Sequence, residues 1–153
     1  MGSIRATAVW LAVVIAVGLS AASASGSGSA TARLKLDGVG FRPELALTSA
    51  QHSVGLMNRR KAPRDGMLFV FGQDTTGSFW MKNTLVPLTI VFFDRNGKRV
   101  RRLSMTPCRQ EQCPLYSPRR TYRFALELPA SDRRPALRLA PLAELRRLSR
   151  LAD

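Results

Sequence analysis

A chain of 153 residues, 45% hydrophobic and 22% charged, has room for one hydrophobic core and is too apolar to be disordered throughout. Two cysteines and a single histidine exclude a disulfide-dense scaffold and leave no set of zinc ligands. A formal net charge of +14 points to anionic partners.

The N-terminus has the three parts of a secretory signal: Arg5, an apolar run over 9–19, and the small residues Ala22, Ser23 and Ala24. Residues 1–24 are expected to be a signal peptide cleaved after Ala24. The apolar run is well short of the roughly 20 residues of a spanning helix, so no stable membrane span is expected after cleavage. The Ser/Gly/Ala stretch 25–32 reads as a flexible leader, and 33–153 as a single globular domain.

The segment 44–47 alternates weakly and is expected to be a strand. Thr48 and Gln51 then have capping-box spacing, which predicts a short helix over 49–57 that buries Val54, Leu56 and Met57. From Gly66 onward the pattern is β, with strands at 67–71, 79–83, 88–93 and 98–103. Asn96-Gly97 suits a tight hairpin turn between the last two. A further strand over 121–128 alternates Tyr122, Phe124, Leu126 and Leu128 with Arg123, Ala125 and Glu127, which predicts one packed face and one wet face. Pro141 opens an amphipathic helix over about 141–152, with Leu142, Leu145, Leu148 and Leu151 as a stripe docking on its own domain. The fold class is mainly β (α+β): a compact antiparallel sheet or partly open barrel, with one short helix after the first strand and a C-terminal amphipathic helix.

The cysteines of C-R-Q-E-Q-C, Cys108 and Cys113, are expected to pair in the oxidising compartment that a signal peptide implies. Chain entropy gives such a short closed loop about 2 kcal/mol, and the spacing is too wide for a redox C-x-x-C.

Three blocks, G-L-M-N-R at 55–59, G-M-L-F-V-F at 66–71 and F-W-M-K-N-T at 79–84, together with Pro87-Leu88 and Leu126-Glu127-Leu128, resemble the signature of the domain of unknown function 192 family. The resemblance covers roughly 43–130. It implies a small, often exported, β-rich domain and no assigned activity. Thr89 stands where the family commonly has Asp, and the glycine usual after the Leu-Glu-Leu block is replaced around Ser131-Asp132.

In an extended F-W-M-K-N-T segment Trp80, Lys82 and Thr84 share one face, and an aromatic plate beside an ammonium and a hydroxyl suits an acidic glycan. The competing reading buries Trp80 in the core with Lys82 lying along it. Asn83 on the opposite, apolar face is expected to tether a neighbouring loop. Arg59 is expected to satisfy helix-end carbonyls or to hold Asp65 or Glu127, so Arg59, Asn83 and Glu127 form a structural polar set. His52 is expected to be exposed, and no nucleophile motif accompanies it, so no catalytic residue is assigned. Met57, Met67, Met81 and Met105 could in principle serve Cu(I), but their apolar neighbours mark core residues, and neither a metal nor a cofactor is implied.

Of the 24 basic residues only Lys35, Lys61, Lys82 and Lys98 are lysine. The arginines are spread along the chain, with Arg99 and Arg101 on one strand, Arg119, Arg120 and Arg123 around the next, and Arg133, Arg134, Arg146, Arg147 and Arg150 towards the end. They are expected to make a diffuse, salt-sensitive field for polyanions. No basic-aromatic nucleic-acid motif is present, so the expected function is a non-enzymatic, exported accessory or binding domain of the cell envelope, with an anionic glycan or wall polymer as ligand. A structural or assembly role is the alternative, followed by a hydrolase or a copper carrier.

Overall fold

The central element is an open five-stranded sheet whose apolar residues occur on both sides of nearly every strand, so both of its faces must be covered. The computed structural model describes residues 29–153; the expected signal peptide and the first half of the leader lie outside them. In chain order the strands are β1 (Leu34–Leu36), β2 (Val39–Phe41), β3 (Glu44–Ala46), β4 (Met67–Thr75), β5 (Phe79–Trp80), β6 (Leu88–Phe93), β7 (Arg99–Met105), β8 (Leu115–Tyr116), β9 (Tyr122–Pro129) and β10 (Leu139–Ala140). The helices are α1 (Ser49–Val54) and α2 (Leu142–Ser149). The main sheet has the order β3-β4-β9-β6-β7, antiparallel except for the β3–β4 pair. Two smaller sheets, β10-β1-β2 and β5-β8, complete the mainly β fold, with no closed barrel among the described residues.

One face of the main sheet presents Leu68, Val70, Val91, Phe93, Phe124 and Leu126 to the small sheet β10-β1-β2 and to Leu145 and Leu148 of α2. The other presents Met67, Phe69, Ile90, Phe92 and Ala125 to Leu56, Met81, Cys108 and the ring of Phe79. This corrects the expectation of a wet face on β9: Ala125 and Glu127 are as buried as Phe124 and Leu126, because the α1 loop and the β5-β8 ribbon cover that side.

Local chemistry accounts for most elements. The Thr48 hydroxyl accepts from Gln51 N at 3.2 Å and the Gln51 side chain accepts from Thr48 N at 3.1 Å, the reciprocal cap that the spacing predicted. The helix itself stops at Val54, which is exposed; Leu56 is buried from the following turn. In the β6–β7 hairpin only Gly97 takes a positive φ, while the Asp94 carboxylate accepts from Asn96 N and Lys98 N and closes a wider loop than expected.

Several expectations need correction. Two strands precede 44–47, so α1 follows the third strand; Asp37 and Gly38, with φ of 52° and 85°, turn the β1–β2 hairpin. The folded part begins before Arg33, because Leu45 N donates to Ala30 O at 2.7 Å and Ala32 is buried. The strand predicted over 79–83 ends at Trp80, since Asn83 has a φ of 55° and leaves the extended conformation. In α2 the leucine stripe docks on its own domain, with Leu145 and Leu148 buried and Leu151 exposed.

Candidate functional site

The F-W-M-K-N-T segment does not form the expected platform. Trp80 is 50% exposed, so it is not a core residue, but Thr84 is only 5% exposed and faces inward. Lys82 donates from Nζ to Gln110 O at 2.9 Å and to Glu111 O at 3.4 Å, holding the loop closed by the Cys108–Cys113 disulfide. Asn83 is exposed and tethers through its backbone, with its carbonyl accepting from Asn58 N at 2.8 Å and its N–H donating to Cys108 O at 3.2 Å. What remains open is an apolar pair across the β5–β8 ribbon, Trp80 opposite Leu115, the latter 68% exposed.

Arg59 pairs with Glu44, at 2.8 and 3.0 Å to its two carboxylate oxygens, and not with Asp65 or Glu127. Both partners are half-exposed, so this fork fixes the loop after α1 and contributes modestly to stability. His52 is half-buried, against expectation: its Nε2 lies 3.0 Å from Ala46 O and its ring packs on Phe71 at 4.5 Å. Met67, Met81 and Met105 are buried in the second apolar cluster, and among the described residues no group of three or more His, Cys, Asp or Glu could hold a metal.

Glu127 is the most unusual of the predicted polar residues. It lies on the apolar side of β9 and is only 5% exposed. Desolvation pushes its pKa up to about 8, so it is neutral at ordinary pH. The blocks that carry the family resemblance converge on this strand. A Cβ on Gly66 would come within 2.0 Å of Glu127 O, and one on Gly55 would lie 3.1 Å from the Phe69 ring and 4.0 Å from Glu127 Oε2. The positive φ of Gly66, 74°, strengthens the requirement for glycine there. Met67, Phe69 and Met81 complete the same cluster. The blocks therefore supply this covered face of the sheet, and through Leu68, Val70, Leu126 and Leu128 they supply the other face as well. Thr89, buried on the other face beside Val91, puts a neutral hydroxyl where the family pattern has a carboxylate.

The concave, charged site lies elsewhere. A cavity of about 840 Å3 opens between β1-β2 and the segment after β9, and Arg33, Arg42, Arg64 and Arg133 line it. A second hollow of about 580 Å3 continues from it past Arg64, Ser131 and Asp132, adding Arg60 and Lys61. Among the described residues none of these six cations has a carboxylate within ion-pair distance.

The two carboxylates in the groove are already engaged. Asp132 meets Arg134 at 2.6 Å, and Asp65 accepts from Arg42 N at 2.8 Å and lies 3.7 Å from Arg134. Burial alone would raise the Asp132 pKa, but the bonds and charge of Arg134, with Arg102 behind it, hold it below the usual aspartate range. Arg134 in turn lies over the Phe41 ring, 5.6 Å from its centroid. The groove wall is thus cross-linked by these contacts, and its rim carries guanidinium groups without a carboxylate partner among the described residues. Arg102 supports that wall from β7, donating to Arg134 O and, at 2.9 Å, to Asp132 O, while Arg99 donates to Pro135 O at 2.8 Å. The arginines are therefore sorted: some clamp the backbone, and others collect at a groove. Arg33 and Arg42 on the β1–β2 hairpin, Arg64 and Arg133 bring three distant segments to the groove.

The described residues thus form a mainly β domain, covered on both faces of its main sheet, with a cationic groove beside β1-β2. The chain belongs to the family described as uncharacterised ACR, domain of unknown function 192, whose model matches residues 32–134. It is similar to the crystal structure of a Sinorhizobium meliloti protein provisionally described as a transcription regulator, with 32% identity and a TM-score of 0.63 over 75% of this chain and 97% of that one. A Novosphingobium aromaticivorans protein of unknown function shares the fold at 24% identity, with a TM-score of 0.65 over 76% of this chain and 89% of that one. No curated protein matches the chain.

Proposed function

We propose that this chain is a non-enzymatic binding domain of the cell envelope, exported and cleaved near Ala24, that holds an acidic glycan or wall polymer along the arginine groove. The observation that carries the reading is the run of unpaired Arg33, Arg42, Arg64 and Arg133 continuing into Arg60 and Lys61. An extended groove rimmed by guanidinium forks suits a polymer with carboxylates at intervals, since each fork can take one carboxylate bidentately. The disulfide and the absence of a spanning helix among the described residues are compatible with an exported location.

The test is equilibrium binding of polygalacturonate to the full chain from low to physiological salt, with Arg64→Gln/Arg133→Gln and Trp80→Ala alongside. Removing two charge-assisted contacts should weaken binding by about tenfold or more, while Trp80→Ala leaves it unchanged. Collapse in Trp80→Ala alone would move the site to the ribbon. Since one similar protein is described as a transcription regulator, duplex DNA is the necessary competitor. Tighter binding of DNA than of polygalacturonate at physiological salt would replace the glycan reading. A second reading, a structural or assembly role, is favoured by the exposed Trp80–Leu115 pair, whose apolar surface suits a protein neighbour.

A further inference from the structure

At another edge of the main sheet, where α2 passes the β6–β7 turn, a cavity of about 390 Å3 is lined by Arg95, Arg123, Arg146 and Arg150, with Asn96 and Ser149 between them. We propose that this cavity is a second anion site, built for a compact, multiply charged oxyanion of the phosphate class, and that it acts independently of the polymer groove.

The site is assembled by specific packing. Leu145 and Leu148 dock α2 on the apolar face, which sets Arg146 and Arg150, one turn apart, at the cavity. The C-terminal residues can lie this close to β4 because residue 72 is glycine: a Cβ there would come within 2.9 Å of Ala152 O. Asp153 N donates to Leu47 O at 3.2 Å and fastens the end of the chain.

Arg123 is held in place before any ligand arrives. Its Nε meets Asp74 Oδ1 at 2.9 Å, and a terminal nitrogen donates to Gly72 O at 3.0 Å. Arg95, Arg146 and Arg150 have no carboxylate partner among the described residues. The other nearby carboxylate, Asp94, is occupied by the turn amides of Asn96 and Lys98. Four guanidinium groups thus line one cavity whose lining holds no carboxylate, while Asp74 and Asp94 line the adjoining hollow beyond Arg95 and Asn96. Like charges brought together in a concavity repel one another and focus the field on an incoming anion, which relieves that repulsion.

Size and chemistry separate this site from the groove. It has less than half the volume of the larger groove cavity and offers guanidinium, amide and hydroxyl donors on several sides. That arrangement matches a tetrahedral oxyanion or a linked pair of them, with oxygens directed to several sides.

The test is calorimetric titration of the full chain with inorganic pyrophosphate and with inorganic phosphate at constant ionic strength. It compares wild type with Arg146→Gln/Arg150→Gln, with Arg146→Lys/Arg150→Lys, and with the groove variant Arg64→Gln/Arg133→Gln. Pyrophosphate should bind saturably at one site. Affinity should fall by about tenfold or more in the Gln pair, by less in the Lys pair, and not at all in the groove variant. The Lys pair keeps the charge and the helix propensity, so it separates lost contacts from lost folding. Vesicles containing phosphatidic acid form a parallel arm: binding there that needs Arg146 and Arg150, with little response to free pyrophosphate, would assign the phosphate to a lipid headgroup. Binding that never saturates, or that weakens equally in the two Gln variants, would show a diffuse field and overturn the site.

Discussion

The two faces of the main sheet are equally dry but are sealed by different means. On the first, aliphatic side chains from β1, β2 and α2 dock on the sheet, and arginines fasten the covering segments by donating to backbone carbonyls. On the second, aromatic rings pack edge to face, as in Phe69–Phe79 and Phe92–Tyr122, beneath a loop closed by the disulfide, and a carboxyl lies among them. The first face spends part of the excess charge on clamps to backbone carbonyls; the second tolerates one neutral acid, and its covering loop is held by the Arg59–Glu44 fork. The blocks that carry the family resemblance supply residues to both faces, whereas Arg33, Arg42, Arg64 and Arg133 fall outside those blocks, though within the span 32–134 that the family model matches.

The largest effect that would break the comparison belongs to Glu127. Below pH 4.5 its carboxyl is protonated whether the chain is folded or unfolded. As pH rises from there to about 8, the unfolded chain releases the proton while the folded chain keeps it, so stability falls through that window. Set against Glu127→Gln, wild type should lose up to about 5 kcal/mol between the two ends, which urea denaturation at pH 5 and pH 9 would read. Parallel pH profiles for the two proteins would mean that the carboxyl is solvated, and the second face wetter than described.

A smaller effect sharpens the first face. Arg102→Met keeps the stem but leaves Asp132 O and Arg134 O without their donor, at a cost of about 2 to 3 kcal/mol. Faster proteolysis after β9 should accompany the loss. Unchanged stability would show that these clamps are replaceable by water.

The smallest effect is expected at Trp80→Ala. A half-exposed ring on a two-residue strand should cost less than about 1 kcal/mol, measured as a change in denaturation midpoint. A larger loss would make Trp80 a support of the second face and not a surface group.

Much of this fold is legible along the chain. Strand β6 is a continuous apolar run, β9 alternates, and Thr48 with Gln51 marks the start of α1, all of them signals within a few residues. The β1–β2 hairpin was equally readable from Asp37-Gly38 between apolar residues and was missed. Strand β10 has two residues and exists only because β1 lies beside it, so no local pattern marks it. The burial of Ala125 and Glu127 depends on a cover that comes from α1, β5 and β8, and their residue types suggest solvent. The groove was hidden for the same reason: the β1–β2 hairpin brings Arg33 and Arg42 together, but nothing in the spacing adds Arg64 and Arg133 to them.

The Asp37 turn has a consequence for how the chain acquires its structure. The Asp37 carboxylate accepts from Leu137 N and Arg138 N, partners 100 and 101 residues away, and β1 completes its pairing only with β10. Strands β1 and β2 can form a local hairpin early, but the sheet that seals the first face waits for the last segment to arrive. Closing so long a loop carries an entropic cost that later contacts must repay, which places this step late and makes it slow relative to the β6–β7 hairpin. A chain lacking residues 139–153 would therefore expose Val70, Val91 and Phe93 where Leu139, Leu145 and Leu148 should lie.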